Sequence, residues 1–481
     1  MNRTAAVLAA GAALAAVALP AAAQTPFPTV APRPGAAASV TPPAPVTRKL
    51  ANGLTVLYVR RPEVPTVQAT LVVRGAGTTD DPATSPGLAT FTAGMLDEGA
   101  GGRSALQLAD AFDLLGAQLS TTAAWDAAQV NLYSLRANFP AALRLMADVV
   151  ARPDFPEREV ARVRDERLTA LLRSRDDPGT IANNAFPALV YGAGHPYGRF
   201  ATTEATRGLD RARVSAFHAS RYRPEASTLI LVGDVDPAAL HSVVESSMGG
   251  WRATGAAPAS AASSLTTPTI GKSVVYLIDK PGAAQSEIRV GHPGVARDNP
   301  DFFPLQVLNT LLGGAFTSRL NTNLREKRGW SYGARSGYSM RLGAGPFTAQ
   351  AGVMTGATDS ALVEFVSELN RIRSEPVMAE ELDKAKRYVA LGFPQTFETN
   401  PQVASQLANL VTYGLDPAFF SSYVQRVMAV TSDDVRRVAN QYVRPGNSVI
   451  VVVGDRAKVE AGIRAANLGA VEIREVAEFT R

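Results

Sequence analysis

The hydrophobic positions of this chain recur in two similar blocks, residues 47–254 and residues 272–481. The first ends in Tyr222-Arg223-Pro224-Glu225-Ala226-Ser227-Thr228-Leu229-Ile230-Leu231-Val232-Gly233-Asp234. The second carries Tyr442-Val443-Arg444-Pro445-Gly446-Asn447-Ser448-Val449-Ile450-Val451-Val452-Val453-Gly454-Asp455. In each, a helical pattern stops near the Tyr, Pro marks a turn, and a continuous β-branched run reads as a buried strand. Each block also opens on a strand pattern, at residues 54–59 and 274–278. A match in both order and spacing predicts an internal duplication.

Between these strands the period lengthens. Apolar residues at helical spacing predict helices over 104–115, 140–151, 156–173 and 210–220, while residues 117–135 alternate like paired strands. The second block predicts helices over 304–312, 318–326, 357–372, 379–388, 401–411 and 432–442, with strands at 285–292, 331–340 and 345–353. Strands and helices in this mixed order predict an α+β fold of two homologous α/β sandwich domains, their helices packed on mostly antiparallel sheets. Residues 24–46, rich in Pro, Ala and Thr, read as a tether, and residues 255–271, rich in Ala, Ser, Thr and Pro, as a linker.

Composition narrows the address. Asn2 and Arg3 precede an Ala/Leu/Val stretch that ends in Ala21-Ala22-Ala23 before Gln24, the pattern of a Sec-type signal peptide over residues 1–23. No Cys follows the cleavage point, and nothing later is apolar for long enough to span a bilayer, so no membrane anchor is expected after cleavage and the periplasm is the expected location. The chain has no cysteine at all, which removes disulfides, thiolate nucleophiles and Cys-based metal sites together. Its 481 residues are 46% apolar and 19% charged, as in a soluble globular protein. The net charge of +5 comes from scattered Arg with no dense basic run, so no nucleic-acid partner is expected.

The chemistry turns on Gly87-Leu88-Ala89-Thr90-Phe91-Thr92-Ala93-Gly94-Met95-Leu96. This stretch resembles the insulinase/pitrilysin family of metallopeptidases, whose members read Gly-Leu-Ala-His-x-x-Glu-His-Met-Leu at the same frame. In that motif two His one helical turn apart hold zinc and the Glu polarises the attacking water. Here those positions are Thr90, Ala93 and Gly94, a hydroxyl, a methyl and a hydrogen that replace neither imidazoles nor a carboxylate. The resemblance covers nearly all of the mature chain and implies the metallopeptidase-like fold of LuxS and processing-peptidase type. It also places the family's third ligand, a Glu ahead of Asp176-Asp177-Pro178, near Thr169 and Ala170, neither of which can ligate.

Other candidates have plainer readings. His195, His218, His241 and His292 are the only histidines, and no two share a close helical spacing with an acid. His195, in Gly194-His195-Pro196-Tyr197-Gly198, sits in a turn like the family's Gly-x-His-Pro-Tyr-Gly loop and reads as structural. Glu159, Asp165 and Glu166 lie among Arg on one helix and read as solvated ion pairs, while Asp97 and Glu98 have no His partner.

The second block keeps what the first has lost. Ser318-Arg319-Leu320-Asn321-Thr322-Asn323-Leu324-Arg325-Glu326-Lys327-Arg328-Gly329-Trp330-Ser331-Tyr332-Gly333 resembles the family's C-terminal motif, in which an Arg and a Tyr seven residues later reach across to the zinc site. By that register they are Arg325 and Tyr332. The plainer alternative makes Arg325 a helix C-terminal cation and Tyr332 a half-buried strand aromatic. Upstream, Gly313-Gly314 either lets the chain pass close to a substrate or marks a helix end before a Ser318 cap.

Some members of this family are two-chain enzymes in which a degenerate subunit supplies the Arg and Tyr to its partner's metal site. The resemblance therefore implies a non-catalytic subunit of a periplasmic heterodimeric zinc peptidase acting on peptides or unfolded segments. It would bind no metal itself, and zinc would sit in a homologous partner with an intact His-x-x-Glu-His motif. Substrate would add as a strand to the edge at residues 118–124. The alternatives are a peptide-binding or chaperone-like module without hydrolysis, and a purely structural assembly subunit.

Overall fold

Two six-stranded sheets organise the computed structural model, which describes residue 35 and residues 44–480; the signal segment and nearly all of the tether lie outside the described residues. The first sheet contains β1 (Val46–Lys49), β2 (Thr55–Arg60), β3 (Thr66–Arg74), β4 (Gln118–Ala123), β5 (Ala127–Leu135) and β6 (Ser227–Gly233), in the order β1-β2-β6-β3-β5-β4. The second contains β7 (Val274–Asp279), β8 (Gln285–Pro293), β9 (Ser331–Tyr338), β10 (Pro346–Met354), β11 (Val449–Gly454) and β12 (Ala470–Arg474), in the order β9-β10-β8-β11-β7-β12.

Five strands of each sheet match in order and sense. β2 runs parallel to β6 as β7 does to β11, and the remaining pairs, β6–β3–β5–β4 and β11–β8–β10–β9, are antiparallel. Each β-branched run is a central strand buried along its whole length, β6 in the first half and β11 in the second. The sixth strands differ: β1 is antiparallel to β2, whereas β12 is parallel to β7. This is the duplicated α+β architecture that the two hydrophobic blocks predict.

Five helices position the sites: α1 (Leu88–Met95), α2 (Glu157–Ser174), α3 (Pro178–Tyr191), α4 (Phe302–Asn309) and α5 (Asn400–Tyr413). Period-2 alternation sends Leu71, Leu229 and Leu231 toward Phe91 and Met95 of α1, and Val72, Ile230 and Val232 to the opposite face. That opposite face is covered by α5 from the second half, through Val403, Leu407 and Leu410. Reciprocally, α3 from the first half lays Ile181, Phe186 and Val190 on Val449, Val451 and Val453 of β11. Each buried aliphatic side chain contributes about 1.5–3 kcal/mol. Neither half therefore has a finished core without the other, and the linker joins parts of one packed body.

Segment 255–271 is itself held down: Ala261 N donates to Asp80 Oδ1 at 2.8 Å, and Arg223 donates to the carbonyls of Thr254 and Gly255.

Several predicted elements change form. The helix expected over 304–312 is α4 followed by a π-helical turn, Thr310–Gly314, and that expected over 318–326 is a short α-turn, Arg319–Asn321, followed by a second π-helical stretch, Thr322–Lys327. Gly313 permits the first: a Cβ there would lie 2.2 Å from Ser336 N of β9. The close approach is thus to the chain's own strand. Ser318 precedes the second helix without capping it through its side chain. Among the described residues no helix is long and apolar enough to cross a membrane.

Candidate functional site

The degenerate motif lies on α1, beside edge strand β4. Gly87 starts the helix at φ +91°, a conformation that suits glycine, and a Cβ there would meet Arg167 Nη2 at 2.7 Å. Asp81 caps the same end from a preceding loop, its carboxylate accepting from Gly87 N at 2.6 Å and Ala89 N at 2.7 Å. Burial pushes the Asp81 carboxyl up to about 6, against the opposing pull of those two bonds and of Arg167 and Arg199.

At the three former catalytic positions the side chains are spoken for. Thr90 donates its hydroxyl to Gly87 O at 2.9 Å and accepts from Arg167 Nη2 at 2.8 Å. Ala93 is buried, and Gly94 faces open space. Thr169 and Ala170 lie on the outward face of α2, and Thr169 is bonded back to Asp165 O of its own helix. What α2 presents to α1 is Arg167, a guanidinium whose pKa burial lowers while Asp81 holds it up. A used hydroxyl, a methyl, a hydrogen and a cation do not fit a zinc ion, which needs three or four nitrogen, sulfur or carboxylate ligands. Arg167 escaped the sequence reading because α2 carries many Arg; only its burial sets it apart.

The space left is a cleft of about 400 Å³ lined by Thr90, Trp125, Arg167, Asn183, Arg199 and Phe200. Among the described residues strand β4 pairs only with β5, so residues 118–123 form a sheet edge, and the edge runs into this cleft at Ala123. Three of the other acids share one cation. Glu98, Glu159 and Glu166 all gather on Arg162, at 2.5, 2.6 and 2.8 Å. Asp97, raised by burial, has no His beside it in sequence and belongs to no such cluster.

Arg325 and Tyr332 stand at the opposite sheet edge, in the second half. β9 pairs only with β10, and its register slips by one residue between Ser331 and Ala334, so Tyr332 and Gly333 form a β-bulge. A bulge at a sheet edge re-aims a side chain, and Tyr332 is 89% exposed with no hydrogen bond from its hydroxyl to any described residue. It is not the half-buried strand aromatic of the plainer alternative.

Arg325 lies within the π-helical stretch rather than at an α-helix end. Its neighbours are firmly paired: Arg319 makes two bonds to Glu381, and Arg328 pairs with Glu364. Arg325 has only exposed Glu326 at 3.4 Å and the Phe316 ring at 4.5 Å, leaving its guanidinium edge accessible.

The two halves are keyed together by the β9–β10 turn. Arg341 is buried with its guanidinium 3.6 Å from the Trp125 ring and 4.4 Å from the Tyr197 ring, while its Nε and Nη1 have no hydrogen-bond partner among the described residues. Asp126, also buried, accepts from Leu342 N at 3.0 Å, and Tyr197 Oη accepts from Gly343 N at 3.0 Å. His195 belongs to this socket: its Nδ1 accepts from Tyr197 N, its ring packs on Tyr191, and burial with Arg199 and Arg341 lowers its pKa. His218 and His292 are likewise packed and neutralised by burial, His292 down to about 4.

Known proteins share both the sequence pattern and this geometry. Residues 55–184 match the family described as insulinase (peptidase family M16), and residues 208–389 match the peptidase M16 inactive domain. An uncharacterized zinc protease of Mycobacterium bovis is 26% identical over 427 residues, covering 88% of this chain and 96% of that protein. The crystal structure of a peptidase M16 inactive domain from Pseudomonas fluorescens superposes with a TM-score of 0.79 at 27% identity, over 85% of this chain and 98% of that one. A protease from Helicobacter pylori shares the fold at a TM-score of 0.78 and 21% identity, over 86% and 100% of the two chains. The chain belongs to the insulinase (M16) peptidase family, as a member in which the catalytic zinc motif is lost.

Proposed function

We propose that this chain is the non-catalytic subunit of a periplasmic two-chain zinc peptidase, lending Arg325 and Tyr332 to the active site of a homologous partner that carries an intact His-x-x-Glu-His motif. The observation that carries this reading is Tyr332, bulged outward at a sheet edge in the same motif as an Arg without a firm partner, in a chain whose own motif helix carries no ligand and bonds to Arg167. Zinc in the partner would polarise the scissile carbonyl and generate the nucleophilic water. The Arg325 guanidinium and the Tyr332 phenol would donate hydrogen bonds to the substrate carbonyl and then to the oxyanion as negative charge builds there. Substrates would be peptides or unfolded segments held in extended form by strand addition at β4, an edge that the sheet order leaves open. The signal-like segment at residues 1–23 supports the periplasmic address.

The test is to purify this chain alone and with a homologue that carries the motif, then measure bound zinc and cleavage of a quenched peptide. Arg325→Ala and Tyr332→Phe are each expected to lower kcat of the pair by about 10²–10³, the size of a lost oxyanion donor. Folding stability should stay within about 0.5 kcal/mol for Tyr332→Phe, because that hydroxyl makes no bond in the chain. Stoichiometric zinc and proteolysis in the isolated chain would refute the proposal. Unchanged activity of the pair with both substitutions would leave a peptide-binding module in its place.

A further inference from the structure

The duplication gives the relict cleft a counterpart in the second half. The first cleft is bounded by α1, the end of β4 and α3; its equivalents, α4, the end of β9 and α5, bound a second cleft of about 350 Å³. That volume is at the small end of the range of about 300–1,000 Å³ usual for ligand pockets. Its contents differ from the first in one decisive respect.

Arg297 lines this cleft, its guanidinium 3.9 Å from the centre of the Phe302 ring and 4.8 Å from that of Phe419. Among the described residues no Asp or Glu pairs with it, and no hydrogen bond runs from its guanidinium to another residue; the titratable groups acting on it are the phenols of Tyr423 and Tyr413. Elsewhere in this half, Arg319 has Glu381 and Arg289 has Glu287. Arg297 is thus a partly desolvated cation without an anion. Aromatic rings take up part of its surroundings, and a carboxylate that bonds to its edge in bidentate fashion supplies what the site lacks.

Two further features say what the carboxylate is attached to. Phe393 and Tyr423 stack at 4.0 Å and, with Phe420, make an aromatic wall suited to an apolar side chain. Gln306, Gln406 and Asn409 line the same cleft, and their side-chain amides make no hydrogen bond to other described residues. Each can both donate to and accept from a peptide group. A carboxylate, a neighbouring amide and an apolar side chain, in a space for about one residue, together describe the end of a peptide.

We infer that this cleft binds the C-terminal residue of peptides ending in an aromatic or large aliphatic side chain, with the free carboxylate on Arg297. The site goes beyond the lending of Arg325 and Tyr332 and is independent of it, since it needs only this chain.

Binding of N-acetyl-Ala-Ala-Ala-Phe, as the free acid and as the C-terminal amide, is measured on the full chain by isothermal titration calorimetry. The acid is expected to bind at least tenfold more tightly than the amide. That preference should disappear in Arg297→Gln and survive in Arg167→Gln, which removes a cation from the other cleft. Equal affinity for acid and amide, or no binding of the acid at millimolar concentration, overturns the assignment with no variant required. A preference that survives Arg297→Gln, or disappears with Arg167→Gln, overturns it by placing the carboxylate elsewhere.

Discussion

Two histidines restored to α1 supply only two of the three or four ligands zinc needs, and the weak binding they support should tighten when Arg167 is also removed. The double variant Thr90→His, Gly94→His returns imidazoles at i and i+4, and Gly94 has open space for the larger side chain. Ala93 is left alone, because it is buried and a Glu there would enter the core. Arg167 Nη2 now lies 2.8 Å from Thr90 Oγ1, so a metal held by an imidazole at 90 would sit about 5 Å from the guanidinium. A doubly charged ion and a cation at that distance repel by about 7 kcal/mol at an effective dielectric constant of about 20. If Arg167 swings part-way toward solvent, about 3 kcal/mol remains, and each 1.4 kcal/mol is tenfold in affinity. Neutralising it by Arg167→Gln should therefore tighten zinc binding at least about a hundredfold. Competition against a chromophoric chelator reads the two affinities, with Arg173→Gln, on the exposed end of the same helix, as a control for net charge. Equal zinc affinity with and without Arg167 would refute the reading that this side chain, and not merely the missing ligands, closes the site.

Three further outcomes follow from buried groups. Asp126→Asn removes a carboxylate whose charge acts on buried Arg341 without bonding to it, and should cost about 1–2 kcal/mol in urea unfolding; adding Arg341→Met should recover part of that cost, whereas additive costs would deny the coupling. Asp81 titrates near 6 when folded and near 4 when unfolded, so its stabilising contribution is complete below about pH 4 and is lost as pH rises through 6. The stability of the native chain relative to Asp81→Asn should accordingly fall by up to about 3 kcal/mol between pH 4 and pH 7, and a flat difference would contradict the assignment. Gly313→Ala drives a methyl to 2.2 Å from Ser336 N and should cost about 1–3 kcal/mol while displacing β9; a melt unchanged from the native chain would show that the π-turn does not need glycine there.

The strands that read most clearly in the sequence are those with a single demand on them. Residues 449–453 are β-branched throughout because both faces of β11 are covered, and residues 118–135 alternate because one face of the β4–β5 pair is open. β3 is also buried on both faces, but Gln68 and Thr70 interrupt its apolar run, and their partners, each other and Asn131, are visible only once the sheet is assembled. α3 has a good N-terminal signal in Asp177-Pro178, yet Pro187 inside it argues against a helix. The exchange of α3 and α5 between halves leaves no local trace, because an apolar helix face does not specify which sheet it covers. The π-helical stretches are hidden for a related reason: one extra residue in a turn barely alters helical spacing.

The same distinction separates the two readings of the relict site. Loss of the ligands at Thr90, Ala93 and Gly94 is legible residue by residue, since ligation is a property of side-chain type. The placing of Arg167 against Thr90 is not, since it depends on which of several arginines turns inward. Both clefts of the duplicated fold now hold a guanidinium, but Arg167 is engaged by Thr90 and Asp81, whereas Arg297 meets only aromatic rings and phenols. A cation already satisfied by its neighbours completes a structure; one left without an anion can still bind one. In the first half the motif helix thus bonds to Arg167 through Thr90, while the second offers an exposed phenol, an under-paired guanidinium and, among the described residues, a cleft cation without a carboxylate.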